Sequence, residues 1–421
     1  LLELPDVKYL SEMMNFPGAI AGDEEVLKKM AAAHALGKPV DGHAPGLRGD
    51  AAKAYIEAGI STDHECFTLE EAVDKLQHGM KIIIREGSAA KNFEALIELV
   101  DDHPNHILFC SDDKHPDSLV EGHINQLCAR AVNKGLNVFN ILKAACVTPV
   151  VHYKLDVGLL RVGDPADFIV ATDLQHFNIQ QTFINGELVA EYGKSLIVSK
   201  PSSVINNFQC DEKPVTEFEF HLNKFGHADA ENIEQAYVVE AMDGQLITNK
   251  LIVPITAFEV ENDLIQANTE KDFLYMVVVN RYNNSPVAKC FVKNFGLKKG
   301  AIASSVAHDS HNIIAVGVDA ESLCRAVNLI ISDKGGVSCC SPSFGGSWRE
   351  VVLPLPVAGL MSADDGYKVA EAYSNIDMAA KELGSALAAP FMTLSFMGLL
   401  VIPHLKLSDM GLFDGDRFQL V

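Results

Sequence analysis

The chain of 421 residues is 48% hydrophobic and carries a formal net charge of −22 at pH 7. At roughly 150 residues per domain, this length predicts two to three domains. The acidic charge disfavours nucleic acids and anionic membrane surfaces as partners, because both select basic proteins.

The first 149 residues alternate amphipathic segments with short apolar runs. The segments predict helices and the runs predict strands, in the order helix 21–37, strand 38–46, helix 48–59, strand 60–67, helix 68–79, strand 80–88, helix 91–103 and strand 106–113. Such alternation is typical of an α/β fold with a parallel sheet. Thr68, followed by Glu71, predicts a capping box at the start of the helix over 68–79.

A polar side chain lies near the end of each predicted strand in this region. These residues are Glu12, His43, His64, Arg85 and Asp112. The carboxyl ends of parallel strands meet at one face of a sheet or barrel, so these side chains are expected to converge. Glutamate, two histidines and aspartate form a ligand set for one or two divalent metal ions, with zinc, iron, nickel and manganese all compatible. The alternative for each residue is a structural role, such as helix capping by Asp112.

The rest of the chain has a different pattern. Residues 150–200 contain apolar runs around an Asn-Gly hairpin turn, which indicates antiparallel strands. A linker from about residue 201 leads into a second α/β unit with an amphipathic helix over 321–336. The apolar stretch 390–403 is too short to span a bilayer and is predicted to be a core segment. Nine cysteines without CxxC spacing indicate reduced thiols in a cytoplasmic protein.

Several motifs resemble adenine deaminases of the amidohydrolase superfamily. They include "EMMNFPG", "VDGHAPG", "IIIREGSAAKN", "FCSDDKHP" and "GLLRVGDPADFIVATDL", followed by "FGLKKGAIASSVAHDSHNI" and "LPLPVAGLMS". The resemblance covers nearly the whole chain. It implies that residues 1–149 form part of a (β/α)8 TIM-like metal-dependent hydrolase barrel. Residues 150–200 would then form part of a small β-sandwich, and residues 201–421 the family's C-terminal α/β domain.

The resemblance also implies a reaction and a ligand set. The family reaction is the hydrolytic deamination of adenine to hypoxanthine and ammonia, which serves purine salvage. Glu12 matches the carboxylate that bridges two metal ions, and His43 and His64 match the histidines of the fifth and sixth barrel strands. Asp112 matches the eighth-strand aspartate, a metal ligand and proton shuttle. Two divalent ions per site are implied, manganese or iron, with zinc as an alternative.

The proton donor to the purine ring is open. Related nucleoside deaminases carry a glutamate three residues after the fifth-strand histidine, where this chain has Gly46. Glu65 and Asp113 are the candidates for this catalytic role, although Glu65 faces away from His64 if the strand continues through it.

Four residues are candidates for contact with the purine. Arg85 and Ser88 offer a guanidinium and a hydroxyl, and the alternative for Arg85 is a salt bridge with Glu86. Asp113 is a further candidate. His115 contacts the substrate or, in the favoured alternative, caps its loop.

A histidine-rich stretch stands out in the C-terminal half. His308, Asp309 and His311 lie within four residues and could bind metal or reach the mouth of the barrel. The alternative is a hydrogen-bonded loop that positions this domain. Apolar segments of this half favour a homo-oligomer, specifically a dimer.

The chain departs from the family pattern in one respect. No HxH motif, which supplies the first metal ligands of the superfamily, occurs within residues 1–149. The first three barrel strands are likewise missing, so the sequence indicates a fragment, a separate N-terminal chain or a truncated and inactive barrel. Two other functions therefore stay open. One is a cyclic amidohydrolase such as a dihydroorotase or hydantoinase, although those enzymes bridge their metals with a carboxylated lysine where this chain has Glu12. The other is an inactive assembly subunit.

Overall fold

The computed structural model describes residues 1–88, 90–200, 203–222 and 234–421. The chain divides into two compact units. Unit 1 comprises Leu1–Lys114 and Glu121–Lys200, and unit 2 comprises His115–Val120 and Pro201–Val421. Ala89 of the "IIIREGSAAKN" motif and the first two residues of the predicted linker, 201–202, lie outside the described residues.

Unit 1 contains a five-stranded sheet in which every strand is parallel to its neighbour. Its strands are β1 (Leu10–Met13), β2 (Val40–Gly42), β3 (Thr62–Asp63), β4 (Lys81–Arg85) and β5 (Ile107–Cys110). They pair in sequence order, β1-β2-β3-β4-β5. Strand β4 has no exposed residue, as expected of a parallel sheet covered on both faces. The α/β fold predicted from strand–helix alternation is confirmed, while the closed barrel stays a prediction.

Ten α-helices lie before residue 160 among the described residues. They are α1 (Phe16–Ala21), α2 (Glu24–Ala35), α3 (Gly49–Glu57), α4 (Leu69–Gln77), α5 (Phe93–Leu96), α6 (Leu99–Asp102), α7 (Pro116–Glu121), α8 (Ile124–Asn133), α9 (Val138–Leu142) and α10 (Thr148–Tyr153). A π-helical turn, Lys143–Val147, joins the last two. The single helix predicted over 91–103 is wrong. The chain forms α5 and α6 instead, because the Val100 N–H bonds to the carbonyl three residues back and tightens the turn between them.

The start of α4 follows its predicted cap only in part. The Thr68 hydroxyl accepts a hydrogen bond from the Glu71 N–H at 3.3 Å. The reciprocal half of the predicted capping box is wrong, since the Glu71 carboxylate binds the Lys75 ammonium at 2.8 Å. The cap residue is therefore predictable, but the buried partner that takes the glutamate is not.

A second sheet of unit 1 is antiparallel. Its four strands, in order of both sequence and pairing, are β6 (Phe168–Ala171), β7 (Ile179–Ile184), β8 (Glu187–Glu191) and β9 (Lys194–Ser195). Asn185 and Gly186 have φ angles of 52° and 80° between β7 and β8. Because only asparagine and glycine adopt such angles readily, the Asn-Gly hairpin predicted here is confirmed. The larger sandwich stays a prediction.

Unit 2 is built on an eight-stranded sheet of order β11-β10-β15-β14-β17-β16-β18-β19. Its strands are β10 (Gln235–Ala241), β11 (Thr248–Pro254), β14 (Leu274–Val279), β15 (Ala288–Lys293), β16 (Ala301–Ser304), β17 (Ile313–Gly317), β18 (Gly336–Pro342) and β19 (Trp348–Pro354). All pairs are antiparallel except β10 with β15. Two smaller sheets contain β12 (Val260–Glu261) with β13 (Leu264–Ile265), and β20 (Leu405–Ser408) with β21 (Gly411–Asp414) and β22 (Gln419–Leu420).

Three helices belong to unit 2 after residue 300. They are α11 (Ala320–Ser332), α12 (Gly366–Glu382) and α13 (Pro390–Phe396). Every residue of α13 is buried, so the predicted core role of this apolar stretch is confirmed. Within the part of the chain that the structure describes, no helix has the length and apolarity needed to cross a membrane.

Candidate metal centre

The carboxyl ends of the five parallel strands bring the predicted metal ligands together. Glu12 lies in β1, His43 and His64 follow β2 and β3 directly, and Asp112 lies two residues after β5. The two imidazole rings are 5.3 Å apart between centroids. A carboxylate lies beside each ring, with 3.3 Å from His43 Nδ1 to Glu12 Oε2 and 3.7 Å from His64 Nε2 to Asp112 Oδ2.

The donor atoms form two overlapping groups. Glu12, His43 and His64 make the first, and His64, Glu65 and Asp112 make the second, with donor atoms within 4.8 Å of one another in each group. Histidine nitrogens with carboxylate oxygens suit zinc, iron and manganese ions. The described residues therefore offer places for one ion or two, with His64 common to both.

The surroundings of His43 support metal binding. Its side chain is almost fully buried, and Nε2 has no hydrogen-bond partner among the described residues, while Nδ1 lies beside the carboxylates of Glu12 and Glu65. A buried polar group without a partner is costly and rare. A cation placed between this imidazole and the adjacent carboxylates would satisfy both kinds of donor, so the chemistry of the site fits a divalent metal ion.

Glu12 and Asp112 both have strained backbone conformations. The φ angles of Glu12 and Asp112 are 43° and 57°, in the left-handed region that non-glycine residues seldom adopt. Strain of this kind is tolerated where surrounding structure enforces it, and it concentrates at functional sites.

Glu65 turns into the site, which corrects the expectation that it faces away. Strand β3 ends at Asp63, whose Oδ1 accepts the Glu65 N–H at 2.7 Å, so strand alternation no longer applies to Glu65. The Glu65 carboxylate is 4% exposed and lies 3.4 Å from His43 Nδ1 and 3.5 Å from His64 Nε2.

Arg85 supplies the positive charge that the acidic strand ends require. Its Nη1 pairs with Glu65 Oε1 at 2.5 Å and with Asp112 Oδ2. The alternative pairing with Glu86 is wrong, because Glu86 binds Arg130 at 2.9 Å. The guanidinium predicted to contact the purine is thus held between two carboxylates.

Charge pairing sets the direction of three pKa shifts. The close approach of His43 lowers the pKa of Glu12 despite burial. Burial works against protonation of His43, but Glu12 and Glu65 outweigh it and raise its pKa. Burial likewise opposes ionisation of Asp112, yet Arg85 and His64 hold its pKa below the usual range. Glu12 and His43 therefore stabilise each other's charged forms, and Arg85 and His64 stabilise the ionised form of Asp112.

The predicted purine-binding residues lie on two loops. The Ser88 N–H donates to the Asp113 carbonyl at 2.8 Å, and the Asp113 N–H donates to Asp112 Oδ1 at 2.6 Å. A Cβ on Gly87 would lie only 2.8 Å from the Asp113 carbonyl, so the loops are tightly packed. Contact of Ser88 and Asp113 with substrate stays a prediction.

The remaining predicted site residues belong to unit 2. His115 Nε2 lies 3.2 Å from the Tyr373 hydroxyl, and the His115 carbonyl accepts the Leu119 N–H at the start of α7. His308 stacks on Phe396 with ring centroids 4.9 Å apart. Neither donor group described above contains His308, Asp309 or His311, and their role stays a prediction.

Sequence reasoning missed the residues behind the ligands. Lys75 and Asp63 form a fully buried ion pair of 2.6 Å directly beside His64. One signal was available, because Lys75 occupies a position of α4 next to buried Ala72 and Leu76, where a charged residue needs a partner.

Comparison with known proteins gives consistent matches along the chain. A model of the amidohydrolase family matches residues 2–189, and a model of the adenine deaminase C-terminal domain matches residues 245–419. A protein of Salinibacter ruber named adenine deaminase is 52% identical over 423 residues, which are 100% of this chain and 74% of the relative. Proteins of the same name from Methanosarcina acetivorans and Borreliella burgdorferi are 49% and 44% identical, with 100% of this chain and 75% of each relative covered.

Likeness to solved structures is confined to part of the chain. A beta-aspartyl dipeptidase from Fervidobacterium islandicum AW-1, in complex with a beta-Asp-Leu dipeptide, matches with 18% identity and a TM-score of 0.34. The match covers 43% of this chain and 55% of that chain.

Proposed function

The chain belongs to the adenine deaminase family, and from this premise we propose that it hydrolyses adenine to hypoxanthine and ammonia at the carboxyl ends of β1 to β5. The observation that carries the proposal is the pair of donor groups sharing His64, at the strand ends of a chain that matches adenine deaminases over its full length. The strand ends supply both metal donors and ionisable groups for proton transfer.

Each residue of the site has a proposed task. Glu12, His43, His64 and Asp112 would hold one or two divalent ions of manganese or iron, or of zinc. The donor common to both groups is His64 rather than Glu12, the residue expected to bridge. A bound divalent ion supplies an activated water at neutral pH. Asp112, whose pKa is held low by Arg85 and His64 against burial, is ionised and ready to accept a proton.

Glu65 is the proposed proton donor to the purine ring. It is buried beside both histidines and Arg85, so it can exchange a proton within the site without contact with bulk solvent. Arg85 orients Glu65 and Asp112 toward the same space, because its guanidinium pairs with both. Ser88 and Asp113 are proposed to contact the purine, and the roles of His115, His308, Asp309 and His311 stay predictions.

The cellular setting is proposed from general features. All nine cysteines are unpaired, which supports a cytoplasmic location. A homodimer is proposed from the exposed apolar residues of unit 2, such as Phe344 and Met410.

An ammonia-release assay on the complete protein tests the function. The protein is treated with a chelator and reloaded with Mn²⁺ or Fe²⁺ before adenine is added. His64→Ala and Asp112→Ala are each expected to lower turnover at least about 10²-fold, because each removes a metal donor or proton acceptor. His78→Ala, an exposed histidine at the end of α4, serves as the control. Normal turnover by both site variants, with folding intact by circular dichroism, would contradict the proposed roles.

A further inference from the structure

Single buried side chains join neighbouring strand ends behind the donor groups. The first is Tyr55 of α3, which has no exposed surface. Its hydroxyl accepts the His43 N–H at 3.1 Å and donates to the Met13 carbonyl at 2.6 Å. The end of β1, beside Glu12, is thereby fixed to the end of β2.

Lys75 of α4 makes the next connection. Its ammonium donates to the Ala44 carbonyl at 2.7 Å and to Asp63 Oδ2 at 2.6 Å. It therefore joins the residue after His43 to the residue before His64. Glu71 extends this contact, since its Oε1 accepts both the Lys75 ammonium and the N–H of Gly46.

Asn92, which precedes α5, makes the third connection. Its Nδ2 donates to the carbonyls of His64 and Cys66, and its Oδ1 accepts the Arg85 N–H at 2.8 Å. The end of β3 is thereby fixed to the end of β4. In all three cases the side chain comes from the segment that follows the second strand of the pair.

We propose that Tyr55, Lys75 and Asn92 are positioning residues that set the distances between the metal-binding side chains. The inference rests on the proposed function of the site. Each of the three side chains bonds to the main chain of a ligand or of the residue next to one, and Lys75 also bonds to the Asp63 side chain. All these bonds are buried, where hydrogen bonds are strong and water does not compete. Partners behind metal ligands commonly fix ligand orientation in this way.

The packing around Gly42 leaves little freedom for the strand ends to adjust. A Cβ at this position would lie 2.4 Å from the Thr62 carbonyl and 3.1 Å from the Tyr55 ring. The backbone that leads into His43 is therefore held between β3 and Tyr55. Because the packing is tight, loss of a positioning hydrogen bond is expected to move the metal-binding side chain.

Tyr55→Phe is the decisive variant, because it removes one hydroxyl and keeps the ring. The chelated complete protein is titrated with Mn²⁺ against a fluorescent chelator, and the visible spectrum is recorded with Co²⁺. We expect Mn²⁺ affinity to fall about 10- to 100-fold and the Co²⁺ spectrum to change. The matched control is Tyr275→Phe in unit 2, which also removes a buried hydroxyl donating to a carbonyl at 2.6 Å.

Two further variants extend the test. Asn92→Ala is paired with Asn328→Ala, whose amide likewise joins main-chain groups, here both of Lys213. Lys75→Met is paired with Lys406→Met, a buried lysine bonded to two carbonyls. If Lys75→Met does not fold, the Tyr55→Phe and Asn92→Ala variants and their controls still test the inference.

The outcomes separate this inference from the proposed function. Unchanged Mn²⁺ affinity and Co²⁺ spectrum in Tyr55→Phe and Asn92→Ala, with melting temperatures lowered as in their controls, would overturn it by showing a merely structural role. Absence of Mn²⁺ binding by the unaltered protein would overturn it as well. Tight Mn²⁺ binding that depends on Tyr55, without ammonia release from adenine, would support the inference while refuting the function.

Discussion

The buried carboxylate of Glu65 is stabilised by positive or ionisable groups on several sides. Arg85 lies 2.5 Å from it, and His43 and His64 lie within 3.5 Å. A buried charge is tolerated only when it is paired in this way. Arg85 therefore compensates the charge of the ionised Glu65 carboxylate in this buried position.

Glu65→Gln is expected to reduce kcat for adenine by about 10²- to 10⁴-fold, since the amide keeps the shape but transfers no proton. Steady-state kinetics with purified protein measure this. Glu86→Gln is the control, because Glu86 pairs with Arg130 outside the donor groups. A Glu65→Gln protein with normal kcat would eliminate the proton-transfer role.

The convergence of the predicted ligands could be predicted from sequence, but the partners of these side chains could not. Strand-end position picks out Glu12, His43, His64 and Asp112 together with Arg85, and residue type separates the four candidate metal donors from the arginine. The inward turn of Glu65 depends on Asp63 capping its N–H, and the pairing of Arg85 depends on where two other strands end. The Arg85–Asp112 contact joins residues far apart in sequence, so local pattern contains no information about it.

At the level of elements, helix α4 has a side-chain cap at its N-terminus and contributes two buried residues behind the site. Its N-cap is Thr68, and it carries both Glu71 and Lys75 into the buried network. Thr68→Ala is expected to lower the free energy of unfolding by about 1 kcal/mol, because the Glu71 N–H loses its acceptor. Urea unfolding measures the change, and Thr68→Ser should retain most of the stability. Equal midpoints for Thr68→Ala and the unaltered protein would show that the cap contributes nothing.

The close approach of β2 and β3 provides a second test at this scale. Gly42→Ala is expected to destabilise the protein by about 1–3 kcal/mol, because the new methyl group overlaps the Thr62 carbonyl. Gly366→Ala is the matched control, since a Cβ there meets nothing within 4 Å. Urea unfolding of both variants checks this, and equal stabilities would contradict the packing described for Gly42.

Element order was more predictable than element pairing. Alternating strands and helices indicate a parallel sheet in unit 1, and each predicted strand from 38 to 113 contains an observed one, although shorter. The order of the eight-stranded sheet in unit 2 was not predicted. It brings β10 beside β15, and such pairing is decided by packing between distant segments rather than by the periodicity of either strand.

At the scale of the whole molecule, each unit has hydrophobic clusters of its own among the described residues. One cluster around Tyr275 and Phe291 lies in unit 2, whereas clusters around Tyr55 and around Phe93 lie in unit 1. Each core has the composition of an independent domain interior, so each unit is expected to give its own unfolding transition.

The unit 2 transition is expected to depend on pH through Lys406. Its ammonium is fully buried, and burial lowers its pKa from 10.5 to about 7. Between these values the unfolded chain binds more protons than the native protein, so the free energy of unfolding rises with pH, by up to about 1.4 kcal/mol per unit. Below pH 7 the cost of burying the charge is present in full.

Lys406→Met removes this dependence. The stability of the variant relative to the unaltered protein is therefore expected to be greatest at pH 6 and to decline steadily toward pH 9.5. Urea unfolding across this range measures the difference, with Lys299→Met, at an exposed position, as the control. A difference that stays constant with pH would show that Lys406 titrates as it does in water.

Removal of the metal is expected to destabilise unit 1 and to lower the temperature of its unfolding transition. The donor groups lie entirely in unit 1 and come from separate strands, so an unfolded chain does not assemble them. Binding to the native state alone, at a metal concentration 100 times Kd, stabilises it by about 2.7 kcal/mol. For a unit of this size each kcal/mol shifts Tm by about 2–4 °C, so chelation should lower the Tm of unit 1 by about 5–10 °C.

Calorimetry before and after adding EDTA, and again after Mn²⁺ is restored, measures the shift. The transition that follows the Lys406 pH dependence should stay in place, and a metal-dependent shift in that transition instead would place the metal outside unit 1.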